Sequence, residues 1–187
     1  MDNNQDLELL DVYTEDNQTK IGMAERGVVH YYNLWHREIA CWIINNNNEI
    51  LLQRRSANKK QQPNMLAITA GHIDLNESPI QAVIREVSEE VGIKNVKEKD
   101  FIYLDTFKAE NKNNHHFKYV YLLKTNRTIE QLTMQKSEVS ELLYVSLDRL
   151  KKMISLPNTE ITFAKHFYTP IILNKIEELI KNMQLWS

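Results

Sequence analysis

The sequence predicts an α+β fold, and three observations carry that prediction. Short runs rich in β-branched and aromatic residues recur through most of the chain. One segment, Gly71 to Ile93, switches to helical periodicity, and a second such pattern begins at Thr169. Strands interleaved with few helices point to packed layers around a sheet rather than to a bundle.

In chain order, Leu7 to Tyr13 reads as a strand, EDNQT as a turn and Lys20 to Met23 as a second strand. Glu38–Ile44 and Glu49–Arg54 flank the tract Asn45 to Asn48, so they read as a hairpin around an asparagine turn. The loop Ser56 to Asn64 follows, and Met65 to Thr69 is a strand that delivers the chain to Gly71. Phe101–Lys108 and Phe117–Lys124 are two further strands, joined across the polar segment ENKNNHH. Val139–Val145 is read as a strand and Leu147–Met153 as a short helix. Thr169 and Pro170 supply a cap-and-proline start for a last helix, with Ile172, Ile176, Leu179, Ile180 and Met183 on its buried face.

The stretch GHIDLNESPIQAVIREVSEEVGI is the most informative. Ser78 and Pro79 mark a helix start, Gln81 completes an S-x-x-Q capping box, and Gly92 supplies the stop. Ile80, Val83, Ile84, Val87 and Val91 form an apolar stripe at three-and-four spacing. On the other side Glu86, Glu89 and Glu90 cluster within about one turn, where each like-charge pair costs roughly 0.2–0.5 kcal/mol. A hard divalent cation relieves that repulsion, because Mg²⁺ (or Mn²⁺) takes carboxylate oxygens, keeps waters and binds substrate phosphates. A merely solvated acidic face is the common meaning of such a helix. Here it is outweighed by the register of glycine, glutamate and arginine around the cluster.

Composition narrows the class. The chain has 187 residues and a net charge of −2, so it suits one domain and offers no basic footprint for a nucleic-acid polymer or a membrane surface. Residues 1–187 are therefore taken as one domain: a strand or hairpin extension at 1–27, the motif at 71–93 and a closing helix at 169–185. The acidic N-terminus lacks a signal-peptide pattern and no run approaches a membrane span, which predicts a cytoplasmic protein. Cys41 is the only cysteine and sits in the apolar run IACWII, where a buried hydrophobe is the better reading than a nucleophile.

Written as a pattern, the segment is Gly71, five residues, Glu77, seven residues, then R-E-V-x-E-E-x-G-I from Arg85 to Ile93. This is similar to the complete box of the Nudix hydrolase superfamily. The runs DVYTEDNQTKIG and VHYYNLWHR, Arg26, ILLQRRS and AGHID resemble the branch related to isopentenyl-diphosphate isomerase. The resemblance implies an α/β/α sandwich on a central mixed sheet. It implies that Glu86, Glu89 and Glu90 bind Mg²⁺ or Mn²⁺, with the carbonyl of Gly71, and that Glu77 and Arg85 form a salt bridge orienting the loop. Hydrolysis of a diphosphate linkage in a small molecule follows, with a nucleoside diphosphate joined to another group as the expected substrate. The general base is Glu90 or Glu89, or else Glu138 ahead of the segment EVSELLYVSLDRL. The resemblance also allows a homodimer.

Two alternatives stand beside this reading. An isomerase would use His36, His72 and His30 in a metal site, but its cysteine before the box glycine is replaced by Ala70, and its strand glutamates fall at Asn114-His115-His116. A non-catalytic binding module usually loses box carboxylates, and none is missing. Arg54, Arg55 and Lys60 are candidate phosphate contacts, and His30, His36 and His72 a candidate second metal site. Tyr32, Trp35, Phe107 and Tyr119 are candidate stacking surfaces for a base, although most are expected in the core.

Overall fold

The computed structural model describes residues 8–112 and 114–184. Leu7, residue 185 and the side chain of Met183, all used above, lie outside the described residues or atoms. The strands are β1 (Leu9–Tyr13), β2 (Lys20–Glu25), β3 (His36–Ile44), β4 (Glu49–Arg55), β5 (Leu66–Ala67), β6 (Thr69–His72), β7 (Phe101–Asn111), β8 (Asn114–Lys124) and β9 (Val139–Ser146). The helices are α1 (Arg26–Tyr31), α2 (Pro79–Val91), α3 (Leu147–Ser155) and α4 (Thr169–Gln184).

Seven strands form one mixed sheet of order β5-β4-β3-β8-β7, with β6 also paired to β3 and β9 to β4. Strand β3 runs parallel to β8 and antiparallel to β6. Its alternation explains the layering, since successive side chains point to opposite faces. Ala40, Trp42 and Ile44 join one apolar cluster with Leu150 of α3 and Ile172, Leu173 and Ile176 of α4. Ile39, Cys41 and Ile43 join the other with Ala82, Val83, Val87 and Val91 of α2. The result is the expected α/β/α sandwich.

Several expectations change in detail. Strands β3 and β4 meet in register at only one pair, Ile44↔Ile50, and then splay apart. The predicted hairpin is therefore a corner, because β6 pairs with β3 and β9 with β4. The Met65–Thr69 strand is broken into β5 and β6, which places Gly71 inside a strand rather than after one. The polar segment 110–116 is not a loop: β7 and β8 continue through it to the pair Asn111↔Asn114. Thr169 does not cap α4 from outside; it is the first helical residue, and its hydroxyl donates to the carbonyl of Phe163 at 2.7 Å. Helix α1 is an element that the sequence pattern does not announce.

Helix α2 follows the sequence closely. Ser78 accepts from the Gln81 amide, the reciprocal bond completes the box, and Gly92 ends the helix in the left-handed region at φ 71°. The asparagine turn also forms, with Asn45 Oδ1 accepting from the backbone amides of Asn47 and Glu49 at 2.9 Å each. Six asparagines (17, 33, 48, 64, 76 and 95) and Gln62 take positive φ among the described residues.

Gly92 gives the first test. A Cβ there would lie 2.8 Å from the backbone nitrogen of Thr133, on a φ that L side chains resist. Gly92→Ala is expected to destabilise the fold by about 1–3 kcal/mol, measured by urea unfolding.

Candidate active site

The acidic face of α2 is held by Arg85. Its guanidinium grips Glu77 through two bonds, Nε to Oε1 at 3.0 Å and Nη2 to Oε2 at 2.9 Å. Nη2 also donates to the carbonyl of His72 at 3.0 Å, and Nη1 to Glu86 Oε1 at 2.8 Å. Burial alone would lower this arginine, but Glu77, Glu86 and Asp74 raise it above its ordinary value, so it stays charged. The expected Glu77–Arg85 pair thus exists and ties the loop, strand β6 and the helix together.

Glu86 packs against Gly71. A Cβ at that glycine would stand 1.9 Å from Glu86 Oε1, so only glycine admits the carboxylate there. Burial, followed by Glu89 and Glu138 and despite Arg85, pushes the Glu86 carboxyl up to about 7. Glu90 is 5% exposed and accepts from Gln53 Nε2 at 2.9 Å. Burial and the charge of Glu86 push it up to about 8. Glu89, by contrast, is open to solvent and only 3.5 Å from Arg85 Nη1. Glu138 lies near enough to raise both buried acids, and its Oε2 sits 3.0 Å from Lys59 Nζ.

Of the candidate cations, Arg55 is brought to this cluster, where burial lowers it against the pull of Glu90 and Glu138. Arg54 is not. It pairs with Glu141 at 2.7 Å and Glu160 at 2.9 Å and bonds the carbonyl of Asn64, which makes it a brace between β4, β9 and the later loop. Lys60 is exposed on the loop, and its neighbour Lys59 contacts Glu138. Of the four candidate stacking residues, Phe107 is core, Tyr119 bonds Asn17, Trp35 stacks on Phe117, and Tyr32 alone is widely exposed.

The histidines converge as the register dictates. His36 is paired across the sheet with His116, and Glu38 with both His72 and Lys118. His30 Nε2 and His72 Nε2 are 3.1 Å apart, and His30, His36 and His72 together present three nitrogens within 4.8 Å of one another. Glu38 sits among them, 3.3 Å from His36 Nε2 and 3.6 Å from His72 Nε2, and is ion-paired to Lys118. Burial alone would raise Glu38, yet His116, Lys118, His36 and His72 hold it well below the usual carboxylate range. Burial pushes His72 well below the ordinary imidazole value and His116 down to about 4, against the pull of Glu38 on each.

The model of the NUDIX domain matches residues 34–167. The chain belongs to the Nudix hydrolase family. An uncharacterised Nudix hydrolase of Clostridium acetobutylicum is 32% identical over 155 residues, covering 79% of this chain and 74% of that one. Nudix hydrolase 3 of Arabidopsis thaliana is 34% identical over 158 residues, a match spanning 79% of this chain but only 20% of the plant protein. A Deinococcus radiodurans crystal structure shares the fold with a TM-score of 0.64 at 22% identity, over 79% of this chain and 89% of that one.

Four residues that the structure brings to these two clusters escape sequence reasoning: Gln53, Glu38, Lys59 and Lys118. Gln53 and Glu38 each carry a signal, a lone polar residue at an inward position of an apolar strand. Among the described residues no helix is long and apolar enough to cross a membrane.

The raised acids make a signed prediction. In metal-stripped protein the folded chain holds protons on Glu86 and Glu90 that the unfolded chain releases near pH 4.5, so unfolding free energy falls as pH rises through 7 and 8. The depressed histidines act the other way, but only below about pH 6.5. Between pH 6.5 and 8.5 stability is expected to drop by about 2 kcal/mol. Urea titrations in EDTA measure this slope, and Glu90→Gln should remove most of it.

Proposed function

We propose that this chain hydrolyses a diphosphate linkage in a nucleoside diphosphate joined to another group, with Mg²⁺ or Mn²⁺ held by Glu86, Glu89, Glu90 and the carbonyl of Gly71. The observation that carries the reading is three carboxylates on one helix face, Glu86 set against Gly71, Glu90 enclosed beside Gln53 and Glu89 open to solvent, with Arg85 bonded to Glu86 and only distantly to Glu89. The donor set fits a hard cation, being oxygen throughout and open on the Glu89 side. When bound, such an ion neutralises phosphate oxygens, lowers the pKa of a water and stabilises the leaving phosphate.

The protein's own groups divide the remaining work. Glu90 is tied to Gln53 and enclosed, which suits a ligand better than a base. Glu138, reachable by solvent and held by Lys59, accepts the proton of the attacking water. Arg55 meets the phosphate. Ala70 offers no thiol, and burial raises the thiol of Cys41 far above a useful range, so the residues for alkene protonation are absent among those described. A cytoplasmic setting accords with that single buried thiol. The exposed outer strand β2, with Ile21 and Met23 facing solvent, is the surface on which a second copy would pair.

A second metal at the histidines is favoured by one geometric fact. His36 Nδ1 donates to the carbonyl of Leu34 at 3.1 Å, which fixes the ring with Nε2 3.3 Å from Glu38 Oε1 and in reach of His30 and His72. Three imidazole nitrogens within 4.8 Å of one another, beside one carboxylate, suit a transition metal.

The deciding experiment is phosphate release, with and without an added phosphatase, from a panel of nucleoside diphosphate conjugates in Mg²⁺. ADP-ribose, found in complex with a Shewanella oneidensis Nudix domain, and Ap4A, the substrate named for a C. elegans hydrolase, belong on it. Glu89→Gln and Glu90→Gln should abolish turnover of any accepted substrate. Glu138→Gln should lower kcat by about 10²-fold or more while Mn²⁺ binding persists. No turnover of any conjugate by the wild type would leave a binding module instead. For the histidines, metal analysis of protein purified without chelator should find a transition metal that His36→Ala loses.

A further inference from the structure

Gln53 stands where the sheet calls for an apolar residue. On β4 it shares a face with Leu51, toward α2, and it is 4% exposed. Its Nε2 donates to Glu90 Oε2 at 2.9 Å, with the carbonyl of Ile68 a distant second acceptor at 3.5 Å. Its Oε1 is buried and has no hydrogen-bond partner among the described residues. A buried acceptor left unmade costs roughly 1–3 kcal/mol, a penalty that leucine or methionine at this position would not incur. Turning the amide over leaves the same end of the side chain without a partner, now an N–H donor in place of the acceptor.

We propose that Gln53 is a positioning residue, acting through Glu90 on a hydrated divalent cation. Its amide N–H fixes the Glu90 carboxylate in one orientation, and its Oε1 accepts from a water in the shell of the cation. The role rests on the assignment of Glu90 as a metal ligand made above. Partners of this kind, bonded to a ligating carboxylate, typically change metal affinity by about 10–100-fold. Mg²⁺ and Mn²⁺ retain waters when bound, so an orphaned acceptor beside the ligand has a donor to meet.

The test uses the full chain and Mn²⁺ alone as probe, with free ion counted by electron paramagnetic resonance. Gln53→Met keeps the shape and removes both polar groups. Its Mn²⁺ Kd is expected to weaken about 10-fold or more, with melting temperature unchanged or higher and, once a substrate is known, kcat lowered at saturating metal with KM little altered. Gln53→Asn, which keeps an amide too short to reach Glu90, should show the same weakening and serves if the methionine variant fails to fold. Wild-type Mn²⁺ affinity in either folded variant, above all with a lowered melting temperature, overturns the proposal in favour of a purely structural bond. Glu90→Gln separates the two levels of inference. If it loses Mn²⁺ while Gln53→Met does not, only the role of Gln53 falls; if it keeps wild-type affinity, the metal assignment falls and that of Gln53 with it.

Discussion

One guanidinium joins three pieces of chain: the middle of a helix, the loop before it and the end of a strand. Arg85 reaches from the middle of α2 to Glu77 in the preceding loop, to the carbonyl of His72 at the end of β6 and to Glu86 one residue along. A lysine offers no planar fork and could not hold all three at once. With the loop and strand fixed, Gly71 is pressed against Glu86, and the missing Cβ sets how closely the carboxylate can lie to the strand. The charge of the acidic cluster is thereby concentrated rather than spread over a flexible helix surface.

The central strand distributes polar work between the two faces of the sheet. Odd positions of β3 send Ile39, Cys41 and Ile43 under α2, whereas even positions send His36 and Glu38 toward His72, His116 and Lys118 before continuing as Ala40, Trp42 and Ile44 beneath α3 and α4. The charged cluster occupies one end of a strand whose remainder is core. The histidine cluster is not remote from the carboxylates, since Lys118 feels the charge of Glu86 and Arg26 acts on both His72 and Arg55.

How much of this is legible in the sequence depends on whether the determinant is local. Helix α2 is legible, because its capping box, apolar stripe and terminal glycine are all written within one segment. The strands can be placed nearly to the residue, but their partners cannot: nothing in Glu38–Ile44 or Glu49–Arg54 announces that the strands part after one pair. The β7–β8 hairpin reads too short because its tip projects beyond the core, where pairs such as Glu110↔His115 need no apolar residues. Arg54 and Arg55 are adjacent and alike in sequence, yet strand alternation sends one to Glu141 and Glu160 and the other to Glu90 and Glu138. Helix α1 has six residues, valines among them and no side-chain cap, so it owes its form to the packing of Val29 with Leu10 and Val12.

The asparagines in left-handed turns bear on the unfolded chain. Only four glycines occur in 187 residues, and asparagine takes most of the reversals where a glycine would be easiest. Each such choice accepts a little steric resistance in the native turn and in return narrows the range of conformations open to the denatured polymer, an effect of up to about 1 kcal/mol per site. Fixing such a reversal therefore costs less chain entropy than a glycine turn would, and the corner Asn45–Glu49 is ordered by hydrogen bonds that stay within five residues.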